Sequence, residues 1–260
     1  MTRTNSPPNP GHDAVVQHQF GPQAQAYVSS SVHAAGIDLD GVEARVAAVR
    51  PAHALDLGAG GGHVAYRMAA HAGRVTACDL SPDMVAAIES TARDRGIATI
   101  TGAVAAAEDL PFATGQFDCV ASRFSAHHWR DWEAGLRQAR RVLAPGGLAL
   151  FADIVAPAGN AMADTHLQAV ELLRDPSHVR DYRLDEWLAA LARAGFAVRE
   201  VATHRLRMDF PTWIARMATP DVRTAAIRSL QGVASADVAD HFGLEPDGSF
   251  TVDAMMIVAG

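Results

Sequence analysis

The chain has 260 residues, 49% of them hydrophobic, and a formal net charge of −7. That length allows one sizeable domain or two small ones, with a large buried core, and the acidic balance disfavours nucleic acid as a partner. No apolar run approaches the ~18 residues of a membrane span. Met1 to Gly11 lack the apolar region of a secretory signal. Cys78 and Cys119 lie in strand-like apolar runs without disulfide or zinc spacing. A cytoplasmic protein with reduced core thiols is expected.

In chain order, residues 1–12 read as a disordered tail, because Pro7, Pro8, Pro10 and Gly11 sustain neither helix nor ladder. Residues 13–260 read as a single domain with a core over 50–155. A helix is predicted over 22–35, with Pro22 in its first turn. A second is predicted over 40–50, with Val42, Val46 and Val49 on one face. Strands then alternate with helices: 54–57, helix 64–72, 74–78, a helix capped by Ser81 with Pro82 at its first position, a weak strand 98–102, and 117–121. The helix 132–143 stops at Pro145-Gly146-Gly147, and residues 148–154 form an apolar run that suits a strand buried on both faces. Beyond it lie helices over 160–174 and 184–194, the latter capped by Gly195, and a strand over 198–210. A helical stretch over 211–242 follows, with a stripe of Val222, Ala226, Leu230 and Val233, and then a last strand over 250–258. Such alternation predicts an α/β fold, a doubly wound, mostly parallel sheet.

The chemistry concentrates in Leu55-Asp56-Leu57-Gly58-Ala59-Gly60-Gly61-Gly62-His63, which follows a strand and opens a helix. Glycine lets a ligand approach the main chain closely, and a helix N-terminus presents unsatisfied N–H groups. Asp79 ends the next strand, where an acid can accept hydrogen bonds from both ribose hydroxyls. A nicotinamide dinucleotide site needs glycine where His63 stands, and Asp56 would repel its pyrophosphate. Asp56 instead suits a ligand carrying an ammonium group and a sulfonium.

These residues resemble the first motif of the class I S-adenosylmethionine-dependent methyltransferases. Further segments are similar to later motifs of that family, in order: Asp79-Leu80-Ser81-Pro82-Asp83-Met84, Glu108-Asp109-Leu110-Pro111-Phe112 with Phe117-Asp118, and Arg141 through Gly147. The nearest branch is that of the ubiquinone/menaquinone C-methyltransferases. The resemblance implies a seven-stranded Rossmann-like sheet with helical cover elements at about 157–194 and 211–248, the second larger than the usual hairpin. It implies S-adenosylmethionine as cofactor, with Asp56 steering the amino group and Gly58, Ala59 and Gly60 beneath the methionine part. Asp79 would hold the ribose, and Leu80 and Met84 would flank the adenine. Ala107, Glu108, Ser122 and Arg123 would complete the cofactor site, with Tyr27 as a lid. In this branch the third-strand loop usually reads Gly-Asp-Ala-Glu. Here it reads Ala105-Ala106-Ala107-Glu108, so Ala106 replaces the acid that accepts the adenine amino group.

The loop Ser122 to Trp129 follows the fourth strand and should face the acceptor. His127 is expected as a general base and His128 as a substrate contact. Arg180 and Tyr182, in the insertion after strand five, are expected to hold the acceptor. No third ligand stands near the histidine pair in sequence, so no metal is expected. Trp213, Met208 and Met217 suggest an apolar cover or a contact in a homodimer. The partner is a small-molecule methyl acceptor, methylated at carbon or oxygen. The alternatives are a protein that binds S-adenosylmethionine without catalysis and an NAD-dependent oxidoreductase.

Overall fold

A computed structural model describes residues 10–24 and 36–260. Its seven-stranded sheet has the order β3-β2-β1-β4-β5-β7-β6. The strands are β1 (His53–Leu57), β2 (Arg74–Asp79), β3 (Ile100–Val104), β4 (Phe117–Arg123), β5 (Leu143–Val155), β6 (Val198–Met208) and β7 (Phe250–Ala259). The first five run parallel, and β7 pairs antiparallel with both β5 and β6. The chain winds outward from β1 to β3 and returns to β4 beside β1. Neighbouring connections therefore leave in opposite directions there, and a crevice opens at the carboxyl ends of β1 and β4.

Ten α-helices are described: α1 (His12–Phe20), α2 (Ile37–Val49), α3 (His63–Ala69), α4 (Pro82–Asp94), α5 (Trp132–Val142), α6 (Ala161–Arg174), α7 (Leu184–Ala194), α8 (Phe210–Arg216), α9 (Asp221–Gly232) and α10 (Ala236–Phe242). The period-2 pleat of β5 sorts the core into two faces. Ala149 and Phe151 join Leu136 of α5 and Trp187 of α7 on one side. Leu148 and Leu150 join Leu39 of α2 and Met68 of α3 on the other. A third cluster caps the carboxyl end, where Leu167, Trp213, Ile227 and Phe242 pack on Ile154 and Phe250. Both cysteines are buried and free, and burial pushes each thiol up to about 12. Among the described residues no helix is long and apolar enough to cross a membrane.

Several elements differ from expectation. The first helix starts at His12, inside the stretch read as a disordered tail, and Pro22 sits in a short 3-10 turn instead of opening a helix. Residues 25–35 lie outside the described residues. Val42 and Val46 are buried, but Val49 is 52% exposed at the end of α2. The stretch 211–242 is three helices and not one. Its predicted stripe packs at Leu230, beside the buried Ile227, but Val222 and Val233 are 77% and 78% exposed. Strand β3 begins two residues later than predicted, and β5 already starts at Leu143, carrying Pro145-Gly146-Gly147 past a register shift against β4.

Candidate active site

A cavity of about 340 Å³ lies over the carboxyl ends of β1, β2, β4 and β5. One half is built on the glycine turn. Gly58, Gly60 and Gly62 have φ of 72°, 50° and 76°, a region costly for other L-residues. The N–H groups of Gly58 and Ala59 both donate to Cys78 O at 2.9 Å, which ties the turn to β2. Asp56, 1% exposed, accepts from Ala65 N–H at 2.9 Å in the first turn of α3. Burial pushes its carboxyl up to about 7, helped by the nearby charge of Asp79. Asp79 accepts from Gly60 N–H at 2.8 Å and from Ser81 N–H at 2.9 Å. Burial raises its carboxyl too, against those backbone hydrogen bonds. The two acids and the turn thus form one connected cradle.

Leu80 and Met84 continue the wall beyond Asp79, and Ala105, Ala106 and Ala107 close the far end. Glu108 lines the same end, and its Oε1 accepts from Asp131 N–H at 3.0 Å. Arg123 lines the cavity, ion-paired with the buried Asp38 of α2 and lying over the Phe124 ring at 4.6 Å. Ser122 requires a correction. It is 3% exposed and does not line the cavity, because the pleat turns it into the sheet while its neighbour Arg123 faces out. Tyr27 lies outside the described residues.

The other half is the acceptor side. Phe124, with φ of 50°, turns the chain sharply after β4. Ser125 then packs over Gly58 and accepts from Trp129 Nε1–H at 3.1 Å. His127 and His128 line the cavity, together with Glu171, Arg174 and Asp175 from α6 and its end. Arg174 donates to Glu171 Oε2 at 3.1 Å and to Trp213 O at 3.0 Å, and lies over the Trp213 ring. Ile154, Met208, Trp213 and Met217 supply apolar wall, as expected for the last three. Helix α1 closes the top. Its His12 Nε2 donates to His128 O at 2.8 Å, Gln17 to Leu80 O at 3.3 Å, and Gln19 to Met217 O at 2.9 Å.

Two expected substrate residues are not brought to this place. Arg180 donates to Asp164 at 3.0 Å, and Tyr182 stacks on Trp132 with ring centroids 3.7 Å apart; neither lines the cavity. The residues that take their place, Glu171 and Arg174 on α6 and Asp175 just beyond it, were not singled out by the sequence. The two histidines are held by different partners. His127 Nδ1 stands 2.6 Å from Asp153 Oδ1. Burial alone would lower His127, but the Asp153 charge and hydrogen bond, with Asp181 and Glu171 behind, push it up to about 9. The proton His127 shares with Asp153 is therefore held more tightly than on a free imidazole. Burial and the adjacent charge of His127 hold His128 low, at about 4. His128 Nδ1–H donates to Ser177 O at 3.2 Å.

Residues 55–151 match the family model described as a methyltransferase domain. The chain is 32% identical over 244 residues to the uncharacterized methyltransferase YcgJ of Bacillus subtilis, covering 92% of this chain and 96% of that protein. The class I S-adenosylmethionine-dependent methyltransferases are the family of this chain. Its fold agrees: the crystal structure of YcgJ superposes with a TM-score of 0.79 at 29% identity, covering 85% of this chain and 97% of that one. The uncharacterized protein YafE of Escherichia coli K12 is 42% identical over 198 residues, 76% of this chain and 95% of that protein. The C-methyltransferase UbiE of Rhizobium meliloti is 31% identical over 156 residues, 55% of this chain and 60% of that protein. The methyltransferase is an enzyme whose cofactor is S-adenosylmethionine. The residues present fit that group: a glycine cradle open to the cavity, a buried acid behind it and a second at the end of β2. The dinucleotide alternative falls, since His63, 9% exposed at the start of α3, occupies the place of its third glycine.

Proposed function

We propose that this methyltransferase transfers the methyl group of S-adenosylmethionine to a carbon or oxygen atom of a small, apolar or phenolic acceptor. The observation that carries this reading is the divided chamber beyond the glycine turn. Its walls are apolar, from Phe124, Ile154, Met208 and Trp213, and its floor is polar, from His127, His128, Glu171 and Arg174. A compact ligand with an aromatic or alkenyl body and one polar end matches that division. Gly58, Ala59 and Gly60 would run beneath the methionine part, with Asp56 facing the amino group. Asp79 would accept from the ribose hydroxyls, and Leu80 and Met84 would flank the adenine. When bound, the cofactor supplies an already activated sulfonium leaving group. The chain's task is then alignment, and ordering two reactants can provide ~7–11 kcal/mol. Incubation with methyl-labelled cofactor and separate panels of phenols, quinol-like compounds, peptides and RNA tests this. Label is expected in the small phenolic or apolar compounds; transfer confined to macromolecules would sink the assignment.

Asp56 makes a second expectation measurable. In the free enzyme burial holds its carboxyl at about 7. An ammonium group placed beside it favours the carboxylate, so binding lowers that value and expels a proton. Affinity for S-adenosylmethionine should therefore rise as pH climbs through about 7, and flatten before the ligand's own amino group titrates at ~7.7–8.0. Calorimetry near pH 6.5 in phosphate and in Tris should give different apparent enthalpies, and equal enthalpies would count against Asp56 as the partner. Stability of the free enzyme runs the other way. The contribution from Asp56 is fully present below its unfolded value near ~4 and is lost as pH rises through about 7.

A further inference from the structure

We propose that His127, Asp153 and Asp181 form a binding site for one divalent transition-metal ion of the Zn²⁺ or Mn²⁺ class. They come from three separate places: the turn after β4, the carboxyl-terminal part of β5, and the segment between α6 and α7. One ligand atom from each lies within 4.8 Å of the others. An ion bound at ~2.0–2.2 Å holds opposite ligands ~4 Å apart, so only small side-chain shifts close the shell.

Asp181 points to the occupant. It is 1% exposed, and neither carboxylate oxygen has a hydrogen-bond partner. Such a group costs several kcal/mol unless something neutralises it. His178 Nε2 stands 3.9 Å from Asp181 Oδ2, but it donates to Gln168 Oε1 at 3.0 Å. The backbone that carries it is nonetheless held firmly in place. Asp181 N–H donates to Gln168 Oε1 at 3.0 Å, and Gln168 Nε2–H donates to Asp181 O at 2.9 Å. Asp153 is fixed as well, accepting from Ala126 N–H at 3.1 Å and Ile154 N–H at 2.9 Å.

The surroundings carry excess negative charge. Glu171 Oε1 and Asp175 Oδ2 are also buried without hydrogen-bond partners, on the cavity side, with His128 Nε2 3.9 Å from Asp175 Oδ2. Arg174 is the only cation hydrogen-bonded to Glu171 among the described residues. A dication answers this imbalance where a neutral ligand does not. One imidazole, from which the ion displaces the proton, with two carboxylates suits borderline Zn²⁺ and the harder Mn²⁺ over soft Cu⁺, and over Mg²⁺, which keeps several waters. His127 lines the cavity, so the ion would stand immediately behind the acceptor floor and fix its orientation.

The test uses the full chain, stripped with a chelator and dialysed against Zn²⁺ or Mn²⁺. Elemental analysis is expected to find about one ion per chain, with a higher Tm than the stripped form. Anomalous scattering from crystals should place the ion among the three side chains. Asp181→Asn keeps the side-chain shape and the Gln168 contacts. It is expected to weaken the ion about tenfold or more while leaving S-adenosylmethionine affinity unchanged. Substoichiometric uptake by the wild type, an ion located elsewhere, or equal affinity in a folded Asp181→Asn protein would overturn the proposal. Should that variant fail to fold, the wild-type stoichiometry and anomalous peak decide alone.

Discussion

Asp79→Ala is expected to raise the dissociation constant for S-adenosylmethionine about 100-fold. A hydrogen bond to a charged group is worth ~1.5–3 kcal/mol, and in the proposed site Asp79 would accept one from each ribose hydroxyl. Together they amount to at least ~3 kcal/mol, and each ~1.4 kcal/mol is a factor of ten. The variant also releases Gly60 N–H, which Asp79 holds at 2.8 Å, so the cradle loses order as well as a ligand. Asp79→Asn should fall between the two, since it keeps an acceptor oxygen but loses the charge. Calorimetric titration reads both. A constant within threefold of wild type in a folded Asp79→Ala protein would remove Asp79 from the ribose site.

The second large effect is steric. An added Cβ at Gly58 would overlap Ser125 Oγ and lie 2.6 Å from Ser125 Cβ, at a φ of 72°. Gly60, with φ of 50°, has nothing within 4 Å of the same position. Gly60→Ala should therefore cost only the backbone term of ~1–2 kcal/mol. Gly58→Ala must also push Ser125 away from Trp129, separating the β1 and β4 loops. A total of ~3–5 kcal/mol is expected, near the top of what single substitutions do. At ~2–4 °C per kcal/mol for a chain this size, Tm should drop by about 10 °C in Gly58→Ala and by a few degrees in Gly60→Ala. Equal drops would show that packing against Ser125 is not what constrains the turn.

The cofactor half was legible because its parts are local. A glycine turn between strand and helix, and an acid at the end of the following strand, lie in fixed order along one winding of the sheet. Their chemistry also speaks alone: Asp56 and His63 argue against a dinucleotide before any coordinates are seen. The acceptor half was legible at the loop after β4 and in part at Met208, Trp213 and Met217. Its other residues come from α1, α6 and α8, whose exposed and cavity-facing positions have the same composition. Arg174 and Arg180 illustrate this. They stand six positions apart and look alike in sequence, yet only Arg174 reaches the chamber. The stripe proposed for α9 held only at Leu230 for a related reason. Spacing predicts which residues share a face, but α9 turns another face, that of Ile227, toward Trp213 and Phe242. The cluster of His127, Asp153 and Asp181 had no linear signal, since α5 lies between the first two and α6 between the last two. Ser122 against Arg123 shows the finest limit, as one step along a strand exchanges cavity for sheet interior.

Helix α1 rests on both halves at once. It touches Leu80 on the cofactor side, His128 on the acceptor side and Met217 at the end of α8. It buries little apolar surface, with Val16 its one buried residue, so these few polar contacts dominate its attachment. One short helix therefore covers both halves of the cavity. Were α1 to lift, both halves would open to water together, and reseating it would close both.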